Sequence, residues 1–253
     1  SLMFAPAIAV QFPGTIGKLK TAMQKVGFTH IYEVAQGADV TIKTEAEELE
    51  ERMADGHDFM TTSCCAGYNE FIKKHLPEIK PYESTTKTPL YYTAEIAKKE
   101  YPNAVTVFIS PCVAKKREAR ENDNVDYVLN VEELGALFVG THTEIMDCEE
   151  YVDNNEPSKQ ARNFPRIGGV AESVQHCANC EVCPVVIDGL NKENIRQLKK
   201  YAKEGKCAEG NLIELMCCEG GCINGNATII DTKISKKLLK ELSDKSKDIE
   251  RKD

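Results

Sequence analysis

The stretch Leu212-Ile213-Glu214-Leu215-Met216-Cys217-Cys218-Glu219-Gly220-Gly221-Cys222-Ile223-Asn224-Gly225 reads as a short strand that runs straight into a cysteine turn. Leu212–Met216 is a mostly apolar run of strand length. The paired glycines before Cys222 let backbone approach a bound group closely, because no Cβ stands in the way. The same pattern occurs twice upstream. Phe59-Met60-Thr61-Thr62 leads as a strand into Ser63-Cys64-Cys65, and Ala104-Val105-Thr106-Val107-Phe108-Ile109-Ser110, read as a buried parallel strand, ends at Pro111-Cys112. Three cysteine turns at the ends of three strands imply an α/β fold, in which ligand sites form beyond the strand ends.

Between these anchors helix and strand signals alternate. Ile16, Leu19, Met23 and Val26 recur at helical spacing after Pro13-Gly14, with Thr15 as the cap candidate. His30–Val34 reads as a strand and Asp39-Val40-Thr41-Ile42 as a second extended run. Residues 44–54 form an acidic helix with Ala46, Leu49 and Met53 as its apolar stripe. Phe71, Ile72 and Leu76 lie on a helix ended by Pro77. A second unit starts near Pro89, with helices at 90–100, 132–138 and 191–203 and a strand at 125–129. Residues 147–164 are polar and read as irregular. Ile234, Leu238 and Leu242 place an amphipathic helix in the tail, 231–253.

Composition narrows the function classes. The net charge of -8 opposes non-specific nucleic-acid binding, which needs a basic face. No apolar run approaches the ~20 residues that span a bilayer. The start, Ser1-Leu2-Met3-Phe4, lacks the basic and apolar regions of a signal peptide; Ser1-Leu2 before a methionine reads as an expression scar. The expected location is cytoplasmic. In a reducing compartment, 11 cysteines point to metal or redox chemistry rather than to disulfides, and the odd count agrees.

Taken in order, Thr62–Tyr68, Ser110–Glu118 and Glu214–Gly225 closely resemble the three signatures of the catalytic domain of FeFe hydrogenases. The resemblance runs from Ala5-Pro6-Ala7 to about Gly225. It implies a two-lobed α/β fold, each lobe a small mixed or parallel sheet flanked by helices, with the cofactor between the lobes. The lobes are expected at roughly 1–88 and 89–230. The implied cofactor is a 4Fe–4S cubane bridged by a cysteine to a diiron unit carrying CO, cyanide and dithiolate. The implied reaction is reversible reduction of protons to dihydrogen. By motif, Cys65, Cys112, Cys218 and Cys222 match the cubane ligands, with Cys222 bridging to the diiron unit; thiolates are the ligands such clusters take. Cys64 matches the cysteine that relays protons. Glu45 and Glu48 match the glutamates of the family's proton path, and Ser84 its serine. Lys115 matches a lysine that donates to a cyanide, and Met216 a pocket methionine. Bland readings stand beside these: Glu45 and Glu48 as solvated helix charges, Lys115 as a surface charge, Met216 as core and Cys64 as an inert thiol.

Departures gather around the diiron pocket. Ala66 stands where the family has proline, Ser110 where it has methionine, and Leu90 where it has glutamine. Gly225-Asn226-Ala227-Thr228 replaces a glycine-rich run. In this the chain resembles the family's diverged hydrogen or redox sensors. An additional motif, Cys177-Ala178-Asn179-Cys180-Glu181-Val182-Cys183-Pro184, resembles the first three ligands of a bacterial ferredoxin run. It is read as holding a second 4Fe–4S cluster, with Cys207 or Cys148 as fourth ligand and Cys217 less favoured; zinc or free thiols are the alternatives. Three functions are therefore weighed: a hydrogenase, a sensor with little turnover, and a cluster-assembly or electron-transfer protein without diiron. Electrons are expected from ferredoxin or another carrier, through the additional motif, or from a ferredoxin-like domain or signalling partner outside this sequence.

Overall fold

A computed structural model describes residues 1–152 and 155–250. Two parallel sheets organise the chain. The first takes β1 (Leu2–Phe4), β2 (Ile31–Glu33), β4 (Val107–Ser110) and β5 (Tyr127–Asn130) in the order β2-β1-β4-β5. The second takes β3 (Met60–Thr61), β6 (Pro184–Asp188) and β7 (Leu212–Met216) in the order β3-β7-β6. Every pairing is parallel, and the register sets Phe4 beside Glu33 and Ile109, and Thr61 beside Ile213. Such sheets need helices over them, which explains why β1 and β7 are buried along their whole length.

The sheets interleave along the chain. The expected lobe boundary at 88/89 does not coincide with them, because each sheet draws strands from both sides of it. The residues read as an expression scar behave differently too: Leu2 is fully buried and pairs with both Ile31 and Val107.

Local signals explain most helices. Thr15 accepts from the Lys18 N–H and starts α1 (Ile16–Lys25), whose Leu19, Ala22 and Met23 join the core of the first sheet. Asn130 and Glu133 form a reciprocal capping box at α6 (Val131–Gly140). α2 (Ala35–Ala54) corrects the extended run expected at 39–42, which lies inside it. Ala35, Ala38, Ile42, Ala46 and Leu49 bury one face at helical spacing, and that burial overrides the β preference of Val40, Thr41 and Ile42. Gly37 lets α2 sit tightly on α4 (Pro89–Glu100), since a Cβ there would fall 2.1 Å from the Pro89 carbonyl. α3 (Ala66–His75) follows β3, and α5 (Ala114–Ala119) follows β4.

The region expected to be irregular, 147–164, contains α7 (Lys159–Asn163), capped by Ser158. β1, α5, α8 (Gly169–Cys177) and β6 have no counterpart among the elements expected from the sequence. α9 (Lys192–Glu204) matches expectation, starting at Asn191 and ending on Gly205. α10 (Thr232–Ser243) forms in the tail, but Ser235, Leu239 and Ser243 face inward while Ile234 and Leu238 are exposed. The expected stripe is thus turned by about one residue. Residues 251–253 of that tail lie outside the described residues. Among the described residues no helix is long and apolar enough to cross a membrane.

Candidate functional site

The carboxyl ends of β1, β2, β3, β4 and β7 point at one cavity of about 80 Å³. Ala5, Pro6 and Ala7 follow β1, Val34 follows β2, Cys64, Cys65 and Ala66 follow β3, and Pro111 and Cys112 follow β4; Met216, the last residue of β7, and Cys222 close it. Phe108, Leu90, Phe164 and Pro165 give it apolar walls. The strand-end placement expected from the sequence is therefore met by both sheets at once.

Cys65, Cys112 and Cys222 line this cavity, and Cys218, which does not, lies near enough to Cys65 and Cys112 to be raised by their charges. Cys222 is pushed up chiefly by burial, then by the charges of Cys65, Cys112 and Cys218. Cys112 is raised by burial, with Cys65 adding to it and the N–H groups of Ala114 and Lys115 opposing. Cys218 is raised by burial and by Cys112 and Cys65. Cys65 stands at the start of α3 and is lowered, first by the Cys217 thiol, against burial and with help from backbone N–H groups of Cys217 and Tyr68. Buried thiols that repel one another when ionised suit a cationic partner that accepts thiolates. Among the described residues no three His, Cys, Asp or Glu side chains are close enough to hold one metal ion. The donors gathered here are thiols, the ligands that iron–sulfur clusters take.

The acidic residues are not solvated. Glu45 is fully buried; its Oε1 accepts the Ser63 N–H at 3.3 Å and its Oε2 has no partner. Burial raises its carboxyl to about 8, helped by Glu48 and Glu214 and opposed by Ser63 and Ser84. Glu48 is the opposite case. Burial disfavours its charge, yet donors from Thr85, Ser84, Arg52 and Thr86 lower it to about 2. Ser84 Oγ donates to Glu48 at 2.7 Å and lies near enough to Glu45 to favour its charge. Cys64 is pushed up by burial and next by Glu45. Ser84 thus links Glu48 to Glu45, Glu45 lies near Cys64 on the cavity wall, and a solvent-facing cleft reaches Ser84.

The other expected residues resolve as follows. Lys115 is not a surface charge: its Nζ reaches Glu118 at 2.6 Å and the Cys64 carbonyl at 3.3 Å, at the cavity wall. Burial opposes its charge, but Glu118 raises its pKa. Met216 and Ala66 line the cavity while packed in it. Ser110 Oγ turns onto its own chain, donating to the Cys112 carbonyl and accepting the Cys112 N–H, each at 3.1 Å.

The additional cysteine motif is not assembled in the same way. Cys177 ends α8 in the second sheet's core with Cys180 against it, while Cys183 is exposed. Cys207 sits in a separate core cluster with Phe59 and Tyr201, its thiol 3.7 Å from Glu209. Cys148 packs in the first sheet's core and donates to the Glu144 carbonyl. Cys207 and Cys148 thus belong to core clusters other than that of Cys177.

Two residues of the site were passed over in the sequence. Arg52 binds Glu48 through Nε and Nη2, and its i, i+4 spacing was the available signal. Glu214 is fully buried and accepts the N–H groups of Gly168 and Ala171; burial raises it to about 7. A single carboxylate inside an otherwise apolar buried strand was its signal.

Residues 1–226 match the family described as "Iron only hydrogenase large subunit, C-terminal domain". Iron hydrogenase 1 of Clostridium pasteurianum is 30% identical over 256 residues, covering 83% of this chain and 45% of that protein. A probable cytosolic Fe-S cluster assembly factor of Drosophila ananassae is 23% identical over 317 residues, covering 98% of this chain and 65% of its own length. The chain thus spans from about half to two thirds of the length of these relatives. A solved structure of the FeFe-hydrogenase HydA1 from Chlamydomonas reinhardtii superposes with a TM-score of 0.74 at 20% identity, covering 99% of this chain and 85% of that one.

Proposed function

This chain belongs to the iron-only hydrogenase family, matching the C-terminal domain of its large chain, and on that premise we propose that it is a redox domain for reversible reduction of protons to dihydrogen. Cys65, Cys112, Cys218 and Cys222 would hold a 4Fe–4S cubane, and the neighbouring cavity a diiron unit. One observation carries the reading: three strand-end cysteine turns converge on a cavity that is served by Glu48, Ser84, Glu45 and Cys64. A cubane alone has no use for that series. When bound, the iron groups supply single-electron transfer and the site of H–H bond chemistry.

The residues of this chain do the rest. Glu48, held ionised by its donors, takes a proton at the surface end. Ser84 passes it inward, and Glu45, neutral at pH 7, holds it in the dry interior. The Cys64 thiol is the last exchangeable group before the cavity. Lys115, kept cationic by Glu118, presents positive charge where anionic ligands of an iron group would lie. Ala66, Met216 and the apolar walls exclude water.

A second reading is a sensor that keeps the cofactor with little turnover. Leu90 in the wall and Ser110 turned onto Cys112 favour it, because neither offers a donor to a bound group. The same experiment tests both. The protein is reconstituted anaerobically with iron and sulfide, then loaded with a diiron complex, and infrared bands of CO and cyanide and hydrogen evolution are recorded. Bands with turnover support the hydrogenase, and bands without turnover support the sensor. Cubane content without bands removes both and leaves the cluster-assembly class. The Cys177-Cys180-Cys183 motif is proposed to hold a second cluster if iron exceeds that of one cubane. Ferredoxin or another carrier is proposed as electron partner.

A further inference from the structure

Cys217 is a thiol beside the site for which the proposed chemistry has no use. It precedes the ligand candidate Cys218, and neither of the two lines the cavity. It packs with Cys65 against the core cluster of Tyr68, Ile72 and Ile213. Cys65 therefore faces two ways, toward the cavity and toward Cys217. Gly67 makes the room for this. A Cβ on Gly67 would fall 2.9 Å from Cys217 Sγ and 3.9 Å from Cys65 Sγ, so both sulfurs sit over one face of that glycine. That shared face lets the Cys217 thiol serve as a donor toward the Cys65 sulfur. The surrounding side chains are apolar, so little water competes for that donor.

We propose that the Cys217 thiol donates a hydrogen bond to the Cys65 sulfur and thereby raises the reduction potential of the cubane that Cys65 ligates. The inference rests on the assignment of Cys65 as a ligand. The physical reason is charge. A reduced cluster carries one more negative charge, part of it on its thiolate sulfurs, and a donor aimed at one of them stabilises that form over the oxidised one. Cys217 is then a tuning residue, neither a ligand nor a proton carrier.

The test is a redox titration of the reconstituted cubane followed by electron paramagnetic resonance. Wild type, Cys217→Ala, Cys217→Ser and Gly67→Ala are compared, with iron and sulfide measured in each. Cys217→Ala is expected to keep its iron and to shift the reduction equilibrium roughly tenfold toward the oxidised cluster, which is about 59 mV for one electron. Cys217→Ser, whose hydroxyl still donates, keeps most of the wild-type potential. Gly67→Ala pushes the thiol away and moves the potential in the same direction as Cys217→Ala. A Cys217→Ala protein with full cubane and an unmoved potential overturns the inference. So does loss of the cubane in both Cys217 variants, which would make Cys217 a ligand. A wild-type chain that takes up no cubane, or a Cys65→Ser chain that keeps its cubane spectrum unaltered, overturns instead the assignment on which the inference rests.

Discussion

Replacing Glu45 by Gln should make the protein more stable at neutral and alkaline pH, and the gain should grow with pH. An exposed glutamate ionises near 4.5, whereas Glu45 in the folded chain ionises at about 8. Below 4.5 the carboxyl is neutral in both the folded and the unfolded chain and costs nothing. Between the two values the unfolded chain releases a proton that the folded chain keeps, so stability falls as pH rises; above about 8 the folded chain carries a buried, half-partnered carboxylate and the loss is complete. At about 1.4 kcal/mol per pH step, the group costs about 3 kcal/mol at pH 7 and about 5 kcal/mol above pH 8. Glutamine keeps the shape and can still accept the Ser63 N–H, but it does not titrate. Urea denaturation of both cluster-free proteins under anaerobic conditions at pH 5, 7 and 8.5 isolates this residue, because every other group is common to both. A stability difference that stays within about 0.5 kcal/mol across that range would refute the claim that Glu45 is a buried neutral acid, and with it the proton-holding role.

Glu48→Gln should act with the opposite sign. Its ionised form is held by Arg52 and three neighbouring residues, so the substitution costs about 1–2 kcal/mol at pH 7 after discounting for partial exposure. In wild type that contribution disappears as pH falls from 4.5 toward 2, which acid unfolding of the two proteins will show. Gly37→Ala should destabilise by about 1–3 kcal/mol in a urea titration despite better helix propensity, because its methyl meets the Pro89 carbonyl and Thr93. Gly221→Ala should lower iron uptake on reconstitution. Its φ of +89 is strained for any side chain, and a Cβ there would lie 2.5 Å from the Pro165 carbonyl, in the segment that braces the Cys222 turn.

The site was largely legible because its residues sit at strand ends, and apolar runs that stop at cysteines are visible in sequence. β7 is an example: its bounds follow directly from Leu212–Met216. α8 was hidden for a specific reason. It begins after Gly168 with no capping side chain of its own, and Glu214, far along the chain on β7, accepts its first N–H groups. β6 opens on Pro184, a residue that is tolerated there because the strand is an edge and needs no donor at its start. α2 was misread at 39–42 because local β preference was visible while the helix packed over both sheets was not. The tail stripe was misread because Leu239, not the four-residue series beside it, anchors α10. Pairings that cross the whole chain, and the interleaved sheets they create, are not encoded in any local window.

The pairing of β3 with β7 also has a consequence in time. Met60 meets Leu212 and Thr61 meets Ile213, so the strand that delivers Cys64 and Cys65 has no neighbour in its sheet until β7 has been made. At ~5–20 residues per second, a ribosome needs roughly 8–30 s to cover the intervening stretch. During that interval the nascent chain presents its first cysteines without the turn that completes their cradle. On the proposed ligation, cluster insertion follows synthesis of β7 and the Cys218–Cys222 turn.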